Sequence, residues 1–124
     1  MALDITRLKD ELLFEYGLHT QRLFPWDVVN APFECSWAVA DPRSRSKLHS
    51  HHEQEIFIAI KGSAVLEIDG EQEPFKAGDV AYFKPGKEHR LLNDGDEEFT
   101  FYSVWWDRAM SETYMERAVV EGHQ

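Results

Sequence analysis

The sequence predicts an all-β fold of the antiparallel barrel or sandwich type, and three observations support this prediction. Short apolar runs recur through the middle of the chain at spacings of about ten residues. Turn residues close each run, and Asp69-Gly70 is a strong hairpin signal among them. Two runs, 56–60 and 99–106, are apolar at nearly every position, as expected of strands that are covered on both faces.

The turn residues divide this part of the chain into a series of expected strands. They are 36–40, 55–60, 64–68, a short piece ending at Phe75, 80–83, 88–92 and 99–106. Residues 3–16 carry leucines spaced among charged residues, which predicts a short amphipathic helix that ends at Gly17. Residues 108–120 also have helical character.

The length of 124 residues suits one domain with a hydrophobic core and leaves no room for separate cofactor and substrate domains. Any chemistry must therefore lie within one fold or at its mouth. We expect a barrel over 35–107, an N-terminal extension over 1–34 that packs on it, and a C-terminal helical tail over 108–124.

The charge and the cysteine count restrict the partners and the compartment. Lys and Arg number 13 against 23 Asp and Glu, so the formal net charge is −10. A surface this negative repels phosphate backbones and anionic lipids, and we expect neither nucleic acid nor a membrane as a partner. The single cysteine, Cys35, excludes an internal disulfide and suits a reducing compartment. Because charges interrupt the apolar stretches near the N-terminus, we expect no signal peptide and place the protein in the cytoplasm.

The runs that are apolar on both faces also bear on assembly. In a barrel of this size, the outer face of such strands must be covered by the terminal segments or by a second copy of the chain. We therefore predict a homodimer.

Histidines and carboxylates that suit a metal ion fall in two short stretches of the sequence. Residues two apart on a strand point to the same side, so His49 and His51 can direct both imidazoles into one space. Glu55 shares their parity and opens the next strand after a brief turn. His89 lies on a different strand, beyond a bend rich in Gly and Pro, and can close the site from the opposite wall.

Three imidazoles and one carboxylate suit a borderline divalent ion, namely iron, manganese, nickel, copper, cobalt or zinc. Neutral histidines and one carboxylate leave such an ion with a net charge near plus one. Up to two positions of an octahedron stay open for water, substrate or dioxygen, which is typical of a catalytic site rather than of a closed structural one.

The same residues occur at the spacing of a known family. The pattern His-x-His, three residues, Glu, six residues, Gly is met by His49, His51, Glu55 and Gly62. A second pattern of Gly-Asp, a Pro-x-Gly-like turn, His and Asn is met by Gly78-Asp79, Pro85-Gly86, His89 and Asn93, with Lys84 where the turn usually carries Pro. Both patterns, in this order, resemble the two motifs of the cupin superfamily over roughly residues 35–107.

The resemblance implies a double-stranded β-helix barrel, or jelly roll, that binds one divalent metal ion through His49, His51, Glu55 and His89. It does not name the reaction, because cupins include dioxygenases, isomerases, epimerases, decarboxylases, lyases and non-catalytic binders. We expect a metal-dependent enzyme acting on a small organic molecule, first of all an oxygenase, in which Glu55 serves as a base. A non-redox isomerase, epimerase or lyase and a non-catalytic metal- or ligand-binding barrel are the alternatives.

A basic run precedes the first histidine. Arg43, Arg45 and Lys47 share the parity of His49, so on an unbroken strand they would line the mouth of the pocket and attract a carboxylate or phosphate substrate. Pro42 and the intervening serines favour a loop instead.

The remaining candidates near the motifs have lesser expected roles. His52 and Glu53 have the wrong parity for the pocket, so we expect them outside the ligand set or at the surface. Four aromatic residues are most simply core or pocket wall: Trp37, Phe57, Tyr82 and Trp105.

Overall fold

The computed structural model describes residues 5, 7–22 and 32–121. Within these ranges the chain forms ten strands and one helix. They are β1 Leu13–Glu15, β2 Leu18–Arg22, β3 Glu34–Ala40, β4 Ser44–Arg45, β5 Gln54–Lys61, β6 Ser63–Ile68, β7 Glu71–Lys76, β8 Val80–Phe83, β9 His89–Asn93, β10 Phe99–Trp106 and α1 Arg108–Glu121.

The strands form two antiparallel sheets. One has six strands in the order β1-β2-β3-β10-β5-β8, and the other has four in the order β4-β9-β6-β7. Inward side chains of both sheets meet in one core, whose largest members are Phe57, Phe75, Phe83, Phe99, Phe101, Leu66 and Leu91. The all-β jelly roll predicted from the sequence is thus confirmed.

The six-stranded sheet carries most of the strands that position the site. β10 lies between β3 and β5, and its Phe101 is paired with Ala38 on one side and Ala59 on the other. All three side chains point inward and are buried. On the outer face of the same sheet, Val80 and Tyr82 of the edge strand β8 are exposed. The homodimer predicted from the runs 56–60 and 99–106 stays a prediction.

The helix predicted over 3–16 is wrong in the part of that range that the structure describes. Leu13–Glu15 forms β1, which pairs with β2, and residues 7–12 are neither helix nor strand. Residues 3, 4 and 6 lie outside the described residues. Because β2 joins the edge of β3, this segment gains backbone hydrogen bonds in a sheet, and that tertiary pairing outweighs the local helical spacing.

The turn between β1 and β2 attaches this hairpin to the segment that leads to His49. Tyr16 and Gly17 have φ angles of 53° and 78°, the left-handed pair of a type I′ turn. The Lys47 N–H donates to the Tyr16 carbonyl over 2.9 Å. A Cβ atom at Gly17 would lie 2.6 Å from the Arg45 carbonyl oxygen, so the chain approaches closely here.

This close approach predicts that Gly17→Ala destabilises the protein more than Gly70→Ala. Both glycines have left-handed φ angles, 78° and 83°, so both variants should lose about 1 kcal/mol from backbone strain. Only the Gly17 variant adds an overlap with backbone, which should cost at least about 1 kcal/mol more. Urea unfolding of the two variants measures the difference, and equal losses would contradict the contact between the hairpin and β4.

The C-terminal helix predicted over 108–120 is confirmed as α1. Asp107 caps it, because its Oδ1 accepts the Met110 N–H over 2.8 Å and its carbonyl accepts the Ser111 N–H over 3.1 Å. The hydrogen bond from the Met110 N–H is the main cause that holds the pKa of Asp107 below its usual value. Among the described residues, no helix is both long enough and apolar enough to cross a membrane.

Candidate metal centre

The two sheets bring the predicted ligands to one end of the barrel. His49 forms an isolated bridge with His89, the first residue of β9: their backbone N–H and C=O groups are 3.2 and 2.9 Å apart. Glu55 is the second residue of β5 and points inward like Phe57. His51 lies in the segment between His49 and Glu55, and its carbonyl accepts the Gly86 N–H over 2.9 Å. Backbone pairing, not the side chains themselves, therefore brings the two motifs together.

Each of the three imidazoles is fixed by a hydrogen bond from its Nδ1 to a backbone carbonyl two residues away. The distances are 2.8 Å from His49 to Lys47, 3.0 Å from His51 to Glu53, and 3.1 Å from His89 to Lys87. A carbonyl oxygen only accepts, so each Nδ1 carries the ring proton and each Nε2 of a neutral ring presents a lone pair. This is the tautomer of a histidine that binds a metal through Nε2.

Glu55 completes the cluster. Its Oε1 lies 3.0 Å from His51 Nε2 and 3.2 Å from His89 Nε2, while its Oε2 accepts a hydrogen bond from the Ser103 hydroxyl. His89 is 1% exposed, and its Nε2 has no partner with hydrogen-bond geometry among the described residues. When the rings are neutral, the carboxylate and the imidazoles therefore turn unprotonated atoms toward one another.

This arrangement fits a divalent cation better than it fits an empty pocket. With neutral rings, lone pairs that face each other at these distances repel, and a bound cation reverses that repulsion. A metal bond of about 2.1 Å would place adjacent ligands of an octahedron about 3.0 Å apart. The two Glu55 distances agree with that separation, and the three histidine ligand atoms lie within 4.8 Å of one another.

The protonation states agree with this description. Burial lowers the pKa of His49 below its usual value, which favours the neutral ring that a metal requires. Burial works to raise the pKa of Glu55, but a protonated His89 and the hydrogen bond from Ser103 outweigh it, so that the pKa lies below its usual value and the carboxylate is ionised. A cation bound between neutral rings would lower this pKa in the same way as the proton on His89. Three histidine side chains of this chain can hold a metal ion, as is typical of the fold.

A bound metal should stabilise the folded chain, because the ligands converge only there. With free metal at 100 times its dissociation constant, linkage predicts about 2.7 kcal/mol. For a domain of this size that corresponds to a rise in Tm of about 10 °C. Thermal unfolding of the loaded protein with and without a chelator measures the shift. The His51→Ala variant is the control, and a parent Tm that does not respond to the chelator would contradict the site.

An open cavity of about 480 Å³ lies next to the cluster. Histidines 49 and 51 and Glu55 line it, whereas His89 lies behind them. Its apolar walls come from the inner face of the six-stranded sheet: Leu18, Ala38, Phe57, Phe101 and Trp105. Apolar walls with a few polar groups are typical of a small-molecule site.

The residues with lesser expected roles fall mostly outside the cluster. The His52 side chain is 75% exposed, and its Nε2 lies 3.2 Å from Asp107, so it is placed away from the cluster as its parity predicts. Glu53 lines the cavity, so the parity prediction is wrong for this residue, because residues 52–53 form a bend and not a strand. Its carboxylate lies 3.4 Å from His52. The prediction that Tyr82 belongs to the core or the pocket wall is wrong, because it lies on the outer face of the edge strand β8, where it is exposed and donates to the Gln54 amide oxygen over 2.7 Å.

The basic run does not line the cavity. Arg43 has a φ of 51°, which breaks the strand, and its guanidinium lies 2.8 Å from Asp96. β4 ends at Arg45, so no continuous strand joins Arg45 and Lys47 to His49, and neither residue lines the cavity. The arginine that does line the cavity is Arg22, which the sequence analysis missed.

The cupin domain model matches residues 36–105 of this chain, which is more than half of its length. The chain therefore belongs to the cupin family. The structure is similar to that of a Cupin 2 conserved barrel domain protein from Salinispora arenicola CNS-205, with a TM-score of 0.85, 47% identity, and coverage of 94% of this chain and 99% of that one. It is also similar to the plu4264 protein from Photorhabdus luminescens, with a TM-score of 0.86, 35% identity, and coverage of 94% and 98%.

A curated relative carries a functional name. The oxalate-binding protein of Thermotoga maritima is 36% identical over 64 residues, which cover 51% of this chain and 53% of that protein. The chain thus spans about half the length of the curated relatives that it matches.

Proposed function

We propose that this chain is a metal-dependent enzyme of the cupin family that acts on a small anionic organic molecule. The observation that carries this proposal is the convergence of three imidazoles and the Glu55 carboxylate beside an open cavity. The ligands we propose are His49, His51, Glu55 and His89. A structural site would be closed by its ligands, whereas this one borders space for a substrate.

In this proposal the metal ligands, Glu55 and Ser103 have different roles. Bound at the cluster, a divalent ion would polarise a substrate oxygen or activate dioxygen. Glu55 is the group that can take a proton from the substrate once its Oε1 is no longer a metal ligand, because its carboxylate is ionised and lines the cavity. Ser103 holds the other carboxylate oxygen and keeps Glu55 oriented while the proton is transferred.

The anionic character of the substrate rests on the relative and on charge. An oxalate-binding protein is among the proteins similar to this chain. A divalent ion with three neutral histidines and one carboxylate keeps a charge near plus one, which attracts an anion into the cavity. Because the cavity walls are largely apolar, the oxygens of the anion would contact the metal and the polar lining residues.

The experiment that tests the proposal is the identification of the metal followed by a turnover assay. Protein purified without added metal is analysed for its metal content, and dioxygen uptake is then followed with small carboxylates. Iron together with dioxygen consumption supports the oxygenase that we favour. Zinc or manganese without dioxygen use would replace it with an isomerase or lyase. No metal, and no effect of a chelator on stability, would reduce the chain to a ligand-binding barrel.

A homodimer is proposed as the working assembly, because Val80 and Tyr82 leave apolar surface exposed on the outer face of the six-stranded sheet. Light scattering over a range of protein concentrations tests it, with Tyr82→Glu as the variant. A parent that remains monomeric throughout would refute the dimer.

A further inference from the structure

The hairpin of β1 and β2 lies outside the stretch that the cupin domain model matches, yet it forms one wall of the cavity. It contributes five lining residues, Glu15, Tyr16, Leu18, Thr20 and Arg22. Three of these carry polar groups that belong to one hydrogen-bonded set on the hairpin. The polar groups on this wall of the cavity therefore come from residues outside the matched cupin domain.

Arg22 is the cation of this set. Its Nη1 lies 2.5 Å from Glu15 Oε1, and its Cζ lies 5.5 Å from the centre of the Trp105 ring. The Thr20 hydroxyl also donates to Glu15 Oε1, over 2.7 Å. Burial works to raise the pKa of Glu15, but Arg22 and Thr20 outweigh it, so the carboxylate is ionised.

The Arg22 guanidinium has more N–H donors than acceptors among the described residues. It carries five N–H donors, and among the described residues only Glu15 is recorded as its acceptor. Its side chain is 45% exposed, and the residue lines the cavity. The Trp105 ring restrains the guanidinium plane, which lowers the cost of ordering it around a ligand. The contact with Glu15 shows that this guanidinium can donate to a carboxylate.

We propose that Arg22 determines substrate specificity and that it selects a small linear dicarboxylate. One carboxylate of the ligand would lie at the histidine cluster, and the other would take the remaining donors of Arg22. This inference rests on the proposed function, because the first carboxylate requires the metal. A guanidinium is well suited to the second, since its fork matches a carboxylate with two parallel hydrogen bonds.

The strand register separates Arg22 from Glu55. Arg22 is paired with Ser36 on β3, Ser36 with Ser103 on β10, and Ser103 with Phe57 on β5. Three strand spacings of about 4.8 Å therefore separate the Arg22 backbone from β5, which carries Glu55, or about 14 Å in a flat sheet. Because the two groups lie on strands that are not neighbours, a ligand that reaches both needs a chain between its carboxylates, which the apolar walls can cover. Oxalate has no such chain.

The test compares dicarboxylates with monocarboxylates of the same length on the Mn²⁺-loaded protein. Calorimetric titration should show succinate and glutarate binding at least about tenfold more tightly than butyrate and valerate. Arg22→Gln should bring this ratio close to one while Mn²⁺ affinity stays unchanged, and Arg22→Lys should restore part of it. Arg43→Gln is the matched control, because Arg43 is paired with Asp96 outside the cavity, and it should keep the parent ratio.

The outcomes separate this inference from the function on which it rests. If Mn²⁺ and other divalent ions fail to bind the parent protein, the proposed function and this inference fall together. If Mn²⁺ binds but the ratio is close to one in the parent, or persists in Arg22→Gln, only the inference falls. A purely structural role of the Arg22–Glu15 pair would lower Tm and leave the ratio unchanged. Tighter, Arg22-dependent binding of phosphoglycolate would overturn the dicarboxylate in favour of a phosphate.

Discussion

The His51→Ala variant should lose more than about 100-fold in affinity for a divalent ion. Removal of an outer hydrogen-bond partner of a metal ligand costs about 10- to 100-fold, and removal of a ligand itself should exceed that range. The His51 Nε2 atom lies 3.0 Å from Glu55, and its Nδ1 is fixed by the Glu53 carbonyl, so the ring is held for binding before a metal arrives. Competition titrations against a chelator of known affinity measure the loss.

His52→Ala is the matched control for this measurement. The two histidines are neighbours in the sequence, but the His52 side chain is 75% exposed and its nitrogens face Glu53 and Asp107. Its loss should change metal affinity by no more than about threefold, within what a surface substitution causes. Equal losses in the two variants would show that the metal is held by a mobile histidine loop and not by the barrel.

Glu55→Gln should lower turnover by about 10²- to 10⁴-fold, the range that loss of a general base produces. The amide keeps an oxygen that can face the metal, and its NH2 group then lies toward Ser103, where it can donate to the hydroxyl oxygen. It has no ionised oxygen to accept a proton at neutral pH. The assay is the reaction found in the screen of carboxylates, measured at saturating metal so that any loss of affinity is compensated.

The Glu53→Gln variant tests whether Glu55 acts as a base or only through the negative charge that it adds to the cavity. Glu53 also lines the cavity, but its carboxylate lies 3.7 Å from the protonated Nδ1 of His51 instead of facing the Nε2 atoms. Its loss should lower turnover much less than the loss of Glu55. If the two variants are equally impaired, the effect is electrostatic and Glu55 is not the base.

Local sequence was sufficient for the strands of the barrel. The run predicted over 55–60 is β5, and the run over 99–106 agrees with β10. Turn residues made these predictions possible, because Asp69 and Gly70 have the φ angles of 49° and 83° that a type I′ hairpin requires. Tyr16 adopts the same conformation, but a tyrosine is not typical of that position, so the sequence did not reveal the first hairpin.

Spacing alone was also sufficient to bring His49, His51 and Glu55 to one side, because side chains alternate along an extended chain. It could not state how the imidazoles are oriented. Their tautomers depend on the carbonyls of Lys47, Glu53 and Lys87. These contacts are local in sequence, but long-range backbone pairing holds the segments that carry them: Lys47 bonds to Tyr16, Gly86 to His51, and His49 to His89. The orientation is therefore partly a tertiary property.

The sequence by itself determined the class of fold and the residues that converge on the candidate metal centre, because periodicity, turn chemistry and motif spacing are local properties. Only the tertiary structure decided which cation enters the cavity. Arg43 precedes the histidine motif, but its own left-handed backbone conformation breaks the strand there, and it does not line the cavity. Arg22 of the N-terminal hairpin lines the cavity instead. The physical reason is that β2 reaches the cavity by hydrogen bonding to β3, and the register of that pairing is set by the core that both strands cover.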